Sequence, residues 1–167
     1  MSLLSYPERG PWGQSQWAGN CSGYVYRELF LHLNPQVFVD PMVGSGTSIE
    51  VAQEMNIEAY GLDLHSGFNI LQDSILERVG KPADLCISHP PYHTMHQYSR
   101  KVWGKEPHPA DLSECSTVEE FLHKMQLALL NQREATRAGG HYGCIIGDMR
   151  RGGQYHSFQA DLIEGRQ

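Results

Sequence analysis

No apolar run in this sequence approaches the roughly 18 to 20 residues needed to cross a bilayer. The N-terminus, MSLLSYPERGPWG, has no basic segment ahead of an apolar stretch, so a secretory signal is not expected. Cysteine is scarce. The 4 cysteines, Cys21, Cys86, Cys115 and Cys144, show no C-x-x-C pair or other metal spacing. Cys86 and Cys144 lie within apolar runs and read as buried, reduced core residues, which makes the cytoplasm the expected compartment. Positive charge is also in short supply: 13 Lys and Arg stand against 19 Asp and Glu, a net charge of −6 with histidine neutral. A strongly basic protein would announce a polyanion as partner, and this one does not, although a local patch would suffice. Repeats, low-complexity tracts and linkers are missing too. What remains is 167 residues, 40% hydrophobic and 19% charged, with 17 Gly and 9 Pro. That is one folded domain with a core, too apolar and varied for a disordered or collagen-like chain.

The first 20 residues carry Gly, Trp, Pro and Gln without periodicity and read as an extended arm. From Ser22 to Leu33 apolar residues recur at helical spacing, and Asn34-Pro35 stops the helix. VFVD, residues 37 to 40, is a first strand; a Gly-rich turn and a helix from about Thr47 to Met55 follow. EAYGLD, 58 to 63, is a second strand, Phe68 to Leu71 a short third, and a polar turn or helix runs to Gly80. DLCIS, 84 to 88, is a fourth strand, and a long loop runs from it to about Ser116. Thr117 to Arg137 is the clearest helix, capped by Ser116 or Thr117 and ended by Gly139-Gly140. YGCIIGD, 142 to 148, is a fifth strand, and Phe158 to Glu164 starts another helix. This alternation predicts an α/β, Rossmann-like, doubly wound and mostly parallel sheet of about five strands with helices on both faces. Ligands of such sheets sit beyond the carboxyl ends of the strands, so the turns after VFVD, YGLD, LCIS and IIGD should share one site.

The turn FVDPMVGSGTS, Phe38 to Ser48, places Gly44 and Gly46 where close backbone approach to a ligand is useful. It has no lysine, so it is not a P-loop, and Ile49 stands where a dinucleotide fingerprint needs a third Gly or Ala. Asp63 follows Asp40 by 23 residues, close to the roughly 20 of a ribose-binding acid. A strand-end Asp that caps a turn is the plainer alternative. Together the two features favour an adenosine-containing ligand without a pyrophosphate. In SHPPYH, Ser88 to His93, two prolines remove two N–H donors and leave neighbouring carbonyls free to accept. Tyr92 adds a flat face for stacking. A rigid acceptor beside an aromatic suits a planar base with an exocyclic amine, whereas a plain proline-rich loop is the alternative.

DPMVGSGTS followed by SHPPY resembles the DNA amino-methyltransferases, which use S-adenosylmethionine to methylate N4 of cytosine or N6 of adenine. Asp40, Pro41, Gly44, Ser45, Gly46 and Thr47 match their first motif, with Met42 in place of Phe. Pro90, Pro91 and Tyr92 match their catalytic motif; His89, with Ser88 one step earlier, stands where the family has Asp, Asn or Ser. The stretch Trp12 to Gly23 is similar to a cofactor segment found ahead of the glycine motif in some members, which brings in Asn20, Cys21 and Ser22. The resemblance implies that Asp63 binds the ribose and that Asp73 meets the adenine amine with help from Ser74. It also implies that His89 and the Pro90 carbonyl draw the lone pair of the target amine out of the ring. A neutral His accepts a hydrogen bond and a protonated one does not, so activity should fall through its pKa, near 6.5 if unperturbed. The target base must be flipped onto Tyr92. The family's sheet continues beyond the fifth strand, so the chain resembles a minimal or truncated member.

His89, His93 and His96 cluster without helical pairing, and no metal is expected there. Arg100, Lys101 and Lys105 after the fourth strand and Arg150 and Arg151 after the fifth are the candidate DNA contacts, with Tyr98 and Trp103 between the first group. The partner implied is DNA, without a membrane; the oligomeric state is open, a homodimer included. Two other functions stay beside DNA methylation: an S-adenosylmethionine-binding module without catalysis, and methylation of RNA or of a protein glutamine.

Overall fold

The computed structural model describes residues 5–17, 19–91 and 106–164. Helix α1, Gly23–Leu33, is capped by Ser22, whose hydroxyl accepts from the Tyr24 N–H, and ends at Asn34 in the left-handed region. It leads to β1, Val37–Asp40, then α2, Thr47–Glu54, and β2, Glu58–Gly61. A 3-10 turn at Leu64–Ser66 and the short α3, Ile75–Val79, lead to β3, Ala83–Ser88. After a second 3-10 turn, Leu112–Glu114, come α4, Val118–Ala135, and β4, Thr136–Cys144. A hairpin of β5, Met149–Arg151, and β6, Gln154–His156, precedes α5, Phe158–Glu164.

Four strands form one parallel sheet in the order β2-β1-β3-β4. The architecture is α/β and Rossmann-like. Side chains alternate across the sheet, as the pleat requires. Phe38, Leu85 and Ile87 pack with Tyr26 and Phe30 of α1 and Val51 and Ala52 of α2; the Phe30 and Phe38 rings meet edge to face at 4.8 Å. Val39 and Cys86 pack on the other face with Ile75 of α3 and Ala128 and Ala135 of α4. The helices therefore cover both faces, and strand order reverses between β1 and β3. A third cluster, Leu112, Phe121, Met125, Met149 and Phe158, ties the hairpin and α5 to the carboxyl side of the sheet. No helix among the described residues is long and apolar enough to cross a membrane.

Three boundaries differ from the sequence reading. Phe68 to Leu71 is a turn rather than a strand, because Asn69 bonds its own neighbourhood: its side chain accepts from the Leu71 N–H at 3.0 Å and its N–H donates to Asp73 at 2.8 Å. The sheet accordingly has four strands, with the antiparallel hairpin apart from it. The long helix ends at Ala135, two residues early, and β4 begins at Thr136 instead of Tyr142. Its pairing with β3 jumps from Ala83 opposite Thr136 to Leu85 opposite His141, a bulge that holds Gly139 and Gly140. A Cβ on Gly140 would come within 2.8 Å of the Asp84 carbonyl oxygen, so glycine is what lets the bulged strand close on β3. Thr117 caps α4, and Glu120 accepts from the Ser116 N–H and hydroxyl, completing a capping box.

Candidate functional site

A cleft opens at the carboxyl ends of β1, β2 and β3, at the point where strand order reverses, and encloses about 840 Å³ up to its open mouth. That is within the roughly 300 to 1,000 Å³ of small-molecule sites. Its floor is the turn after β1: Pro41, Met42, Val43, Gly44, Thr47 and Ser48. One wall comes from the end of β2 and the turn beyond, with Asp63, Leu64, Phe68, Asn69 and Ile70. The opposite wall combines His89 and Pro91 after β3 with Ala110, Asp111 and Leu112. The N-terminal arm supplies Trp17, Gly19, Asn20 and Cys21, and Tyr26 of α1 completes the lining.

The arm is docked rather than loose. The Trp12 indole N–H donates to Glu54 at 2.7 Å and the Gly13 N–H to Glu50 at 2.8 Å, both on α2. Gly13, at φ +69°, crosses so close above the glycine turn that a Cβ would stand 2.1 Å from the Thr47 hydroxyl. The Ser45 hydroxyl donates to the Asn20 side-chain oxygen at 2.6 Å, so arm and turn are one unit. Within the turn Gly44 and Gly46 both adopt positive φ, +50° and +90°.

Asp63 serves both roles that the sequence allowed. Its Oδ1 caps the 3-10 turn by accepting from the His65 N–H and lies 2.6 Å from His65 Nδ1. Its Oδ2 accepts from the Gly44 N–H at 2.8 Å while the residue lines the cleft. Asp40, one strand over, is buried beneath the floor; it accepts from the Ser48 hydroxyl at 2.6 Å and the Met42 N–H at 3.0 Å. Burial pushes its carboxyl up to about 7, against the pull of those two bonds. Burial also pushes His89 down to about 4, so its ring is neutral at physiological pH. The sequence reading put that titration near 6.5. The Cys21 thiol is raised to about 11 by burial, which rules it out as a thiolate nucleophile at neutral pH.

The cleft thus gathers Asn20, Cys21, Pro41, Gly44, Thr47, Asp63, His89 and Pro91 from the predicted set. Other members are placed behind it. Ser22 and Ser74 are helix caps, Ser45 bonds Asn20, and Gly46 precedes α2 as its cap. Ser88 is fully buried and donates to Gln132 Oε1 at 2.9 Å, away from the cleft. Pro90 is buried and does not line the cleft. Asp73 accepts from the Asn69 N–H, shaping the wall instead of lining it. Tyr92, His93, His96, Tyr98, Arg100, Lys101, Trp103 and Lys105 lie outside the described residues. Arg150 and Arg151 are on the hairpin strand β5, not at the cleft wall. Sequence reasoning missed Trp17, Phe68, Asn69 and Asp111; for Asn69 and Asp111 the signal was an Asx residue opening a turn. Among the described residues no group of three or more His, Cys, Asp or Glu stands close enough to hold a metal ion. No protein-family model, curated protein or solved structure matches this chain.

Proposed function

We infer that this chain is an S-adenosylmethionine-dependent methyltransferase domain acting on the exocyclic amine of a DNA base, N4 of cytosine or N6 of adenine. The observation that carries the reading is the charge of the cleft. Its described lining holds the carboxylates Asp63 and Asp111 and no Lys or Arg. Such a wall disfavours a pyrophosphate and favours a ligand with hydroxyls at one end and positive charge at the other. S-adenosylmethionine has a ribose diol, a flat base and a sulfonium. The Asp63 carboxylate suits the diol, and Phe68 and Ile70 offer an apolar wall to the adenine. Asp73 acts on that wall through Asn69.

When bound, the cofactor supplies an electrophilic methyl group. The chain's part is to aim the target nitrogen. The amine of a base is a poor nucleophile because its lone pair is shared with the ring. A neutral His89 accepts one N–H, the Pro90 carbonyl is assigned the second, and Tyr92 stacks the flipped base. Orientation then supplies most of the rate. A non-catalytic binding module is the second reading, and the low basicity of buried His89 favours it: a ring pushed down to about 4 is a weaker acceptor than an ordinary imidazole. Titration calorimetry with S-adenosylmethionine, run beside methyl transfer from labelled cofactor to DNA of mixed sequence, separates them. Binding with transfer supports the enzyme; binding without transfer to DNA, RNA or glutamine-bearing peptide leaves the module. No binding overturns both.

A further inference from the structure

The two carboxylates of the cleft face it from different elements, and only one of them has a role so far. Asp63 ends β2. Asp111 belongs to the opposite wall, next to Leu112 and on the same side as His89 and Pro91. Since β1 lies between β2 and β3, the two walls are separated by two strand spacings, roughly 10 Å. A ribose held at Asp63 therefore leaves its 5′ substituent pointing toward Asp111.

Asp111 is built into its position. The residue is 4% exposed, and its Oδ1 accepts from both the Ser113 N–H at 2.9 Å and the Ser113 hydroxyl at 2.6 Å. Leu112, the next residue, is fixed in the cluster with Phe121, Met149 and Phe158. A buried carboxylate set so firmly beside a cleft projects its charge through a medium that screens poorly. The other titratable groups near it do not cancel that charge: Asp63 is acidic, Asp40 lies beneath the floor, and His89 is neutral. A cation is what this wall selects.

The geometry points to Asp111 as the residue that distinguishes the sulfonium of S-adenosylmethionine from the uncharged thioether of S-adenosylhomocysteine. This rests on the methyltransferase reading above and deepens it: Asp63 recognises what the two compounds share, and Asp111 recognises the charge that only the methyl donor carries. The consequence is product release. Once the methyl group leaves, the bond between carbon and sulfur breaks with its electron pair on sulfur, and the attraction to Asp111 disappears.

The test is a pair of binding titrations, with no turnover required. Wild type, Asp111→Asn and Asp63→Ala are each titrated with S-adenosylmethionine and with S-adenosylhomocysteine. Asparagine keeps an oxygen for the Ser113 bonds and removes the charge, and thermal unfolding checks that the variant is folded. The affinity ratio of donor over product should fall roughly fivefold or more in Asp111→Asn, while Asp63→Ala should weaken both ligands and leave the ratio in place. Ser113→Ala, which loosens the carboxylate without discharging it, should lower the ratio by less than Asp111→Asn does. If wild type binds both compounds and Asp111→Asn keeps the wild-type ratio, the assignment of Asp111 is overturned and the methyltransferase reading stands. If wild type binds neither, the methyltransferase reading itself fails, and this assignment with it.

Discussion

The two sides of the cleft are held in place by different means. Beside β1 and β2 the polar groups tie the site to itself: Asp63 to Gly44, Asp40 to Ser48, Ser45 to Asn20, and the arm to Glu50 and Glu54. Beside β3 the site hangs from the layer behind it. Gln132, fully buried in α4, accepts from the Ser88 hydroxyl and donates to the carbonyls of Cys86 and Gly143 at 3.0 and 2.8 Å. One side chain thus clamps β3 to β4 directly below His89 and Pro90. The β1 and β2 side is organised for binding by local turns, whereas the β3 side depends on a distant helix.

The largest expected effect comes from breaking that clamp. Gln132→Ala strands buried partners on both strands and should cost about 2 to 4 kcal/mol in denaturant unfolding. In the folded fraction, methyl transfer should suffer more than affinity for S-adenosylmethionine. Equal loss of both would mean that the two sides do not act separately.

Next in size is a dependence on pH that the two sides share with opposite sign. Asp40 has its carboxyl raised from 3.8 to about 7, so its contribution to stability is present below the unfolded value and is lost as pH rises through about 7. His89 is lowered from 6.5 to about 4, so its contribution is present above the unfolded value and is lost as pH falls toward about 4. Asp40→Asn should therefore gain on wild type by about 2 kcal/mol between pH 5 and pH 8. His89→Gln should gain on wild type below pH 6. Stability curves parallel to wild type across these ranges would deny the burial of either group. Methyl transfer should also persist to about pH 5, since His89 remains neutral there; a fall centred on 6.5 would mean an exposed imidazole.

The β1 and β2 side was the legible one. Strand β1, the glycine turn, α2 and the Asp63 spacing were all readable, because each depends on residues near one another in the chain. What escaped depends on contacts across it. Asp111 reaches the cleft only because Leu112 packs on Phe121 and Phe158, and Gln132 looks like an ordinary polar position in a helix until β3 and β4 close on it. The early end of α4 has the same origin: Gly140 is required by its approach to Asp84 and does not terminate the helix. The β5 and β6 hairpin had a local signal, the pair Gly152-Gly153 between short β-prone runs. Those three-residue strands were too brief for alternation to show.

Removing Asp63 should have a smaller effect than either of these, and it sharpens the contrast between the two sides. Asp63→Ala should weaken S-adenosylmethionine about tenfold in calorimetric titration, roughly 1.4 kcal/mol, the worth of one charge-assisted hydrogen bond. Tyr92→Ala should leave that affinity near wild type and lower turnover. If Tyr92→Ala loses cofactor as badly as Asp63→Ala does, base and cofactor are not on separate sides.

The smallest effect concerns DNA. Met149 anchors the hairpin in the third core cluster, and the ladder sets Arg150 opposite Tyr155, which is 65% exposed. A cation beside an aromatic on a projecting hairpin suits a phosphate contact with some stacking, and with a chain of net charge −6 that contact has to be local. Each phosphate neutralised contributes about 0.9 to the slope of log affinity against log salt. Replacing Arg150 and Arg151 with Ala should therefore flatten the slope by about two units and weaken binding nearly equally on all sequences. Fluorescence anisotropy with a short duplex at several salt concentrations measures this directly. An unchanged slope would move the DNA off the hairpin, toward Arg100, Lys101 and Lys105, while a loss confined to one sequence would mean that the hairpin reads bases instead of backbone.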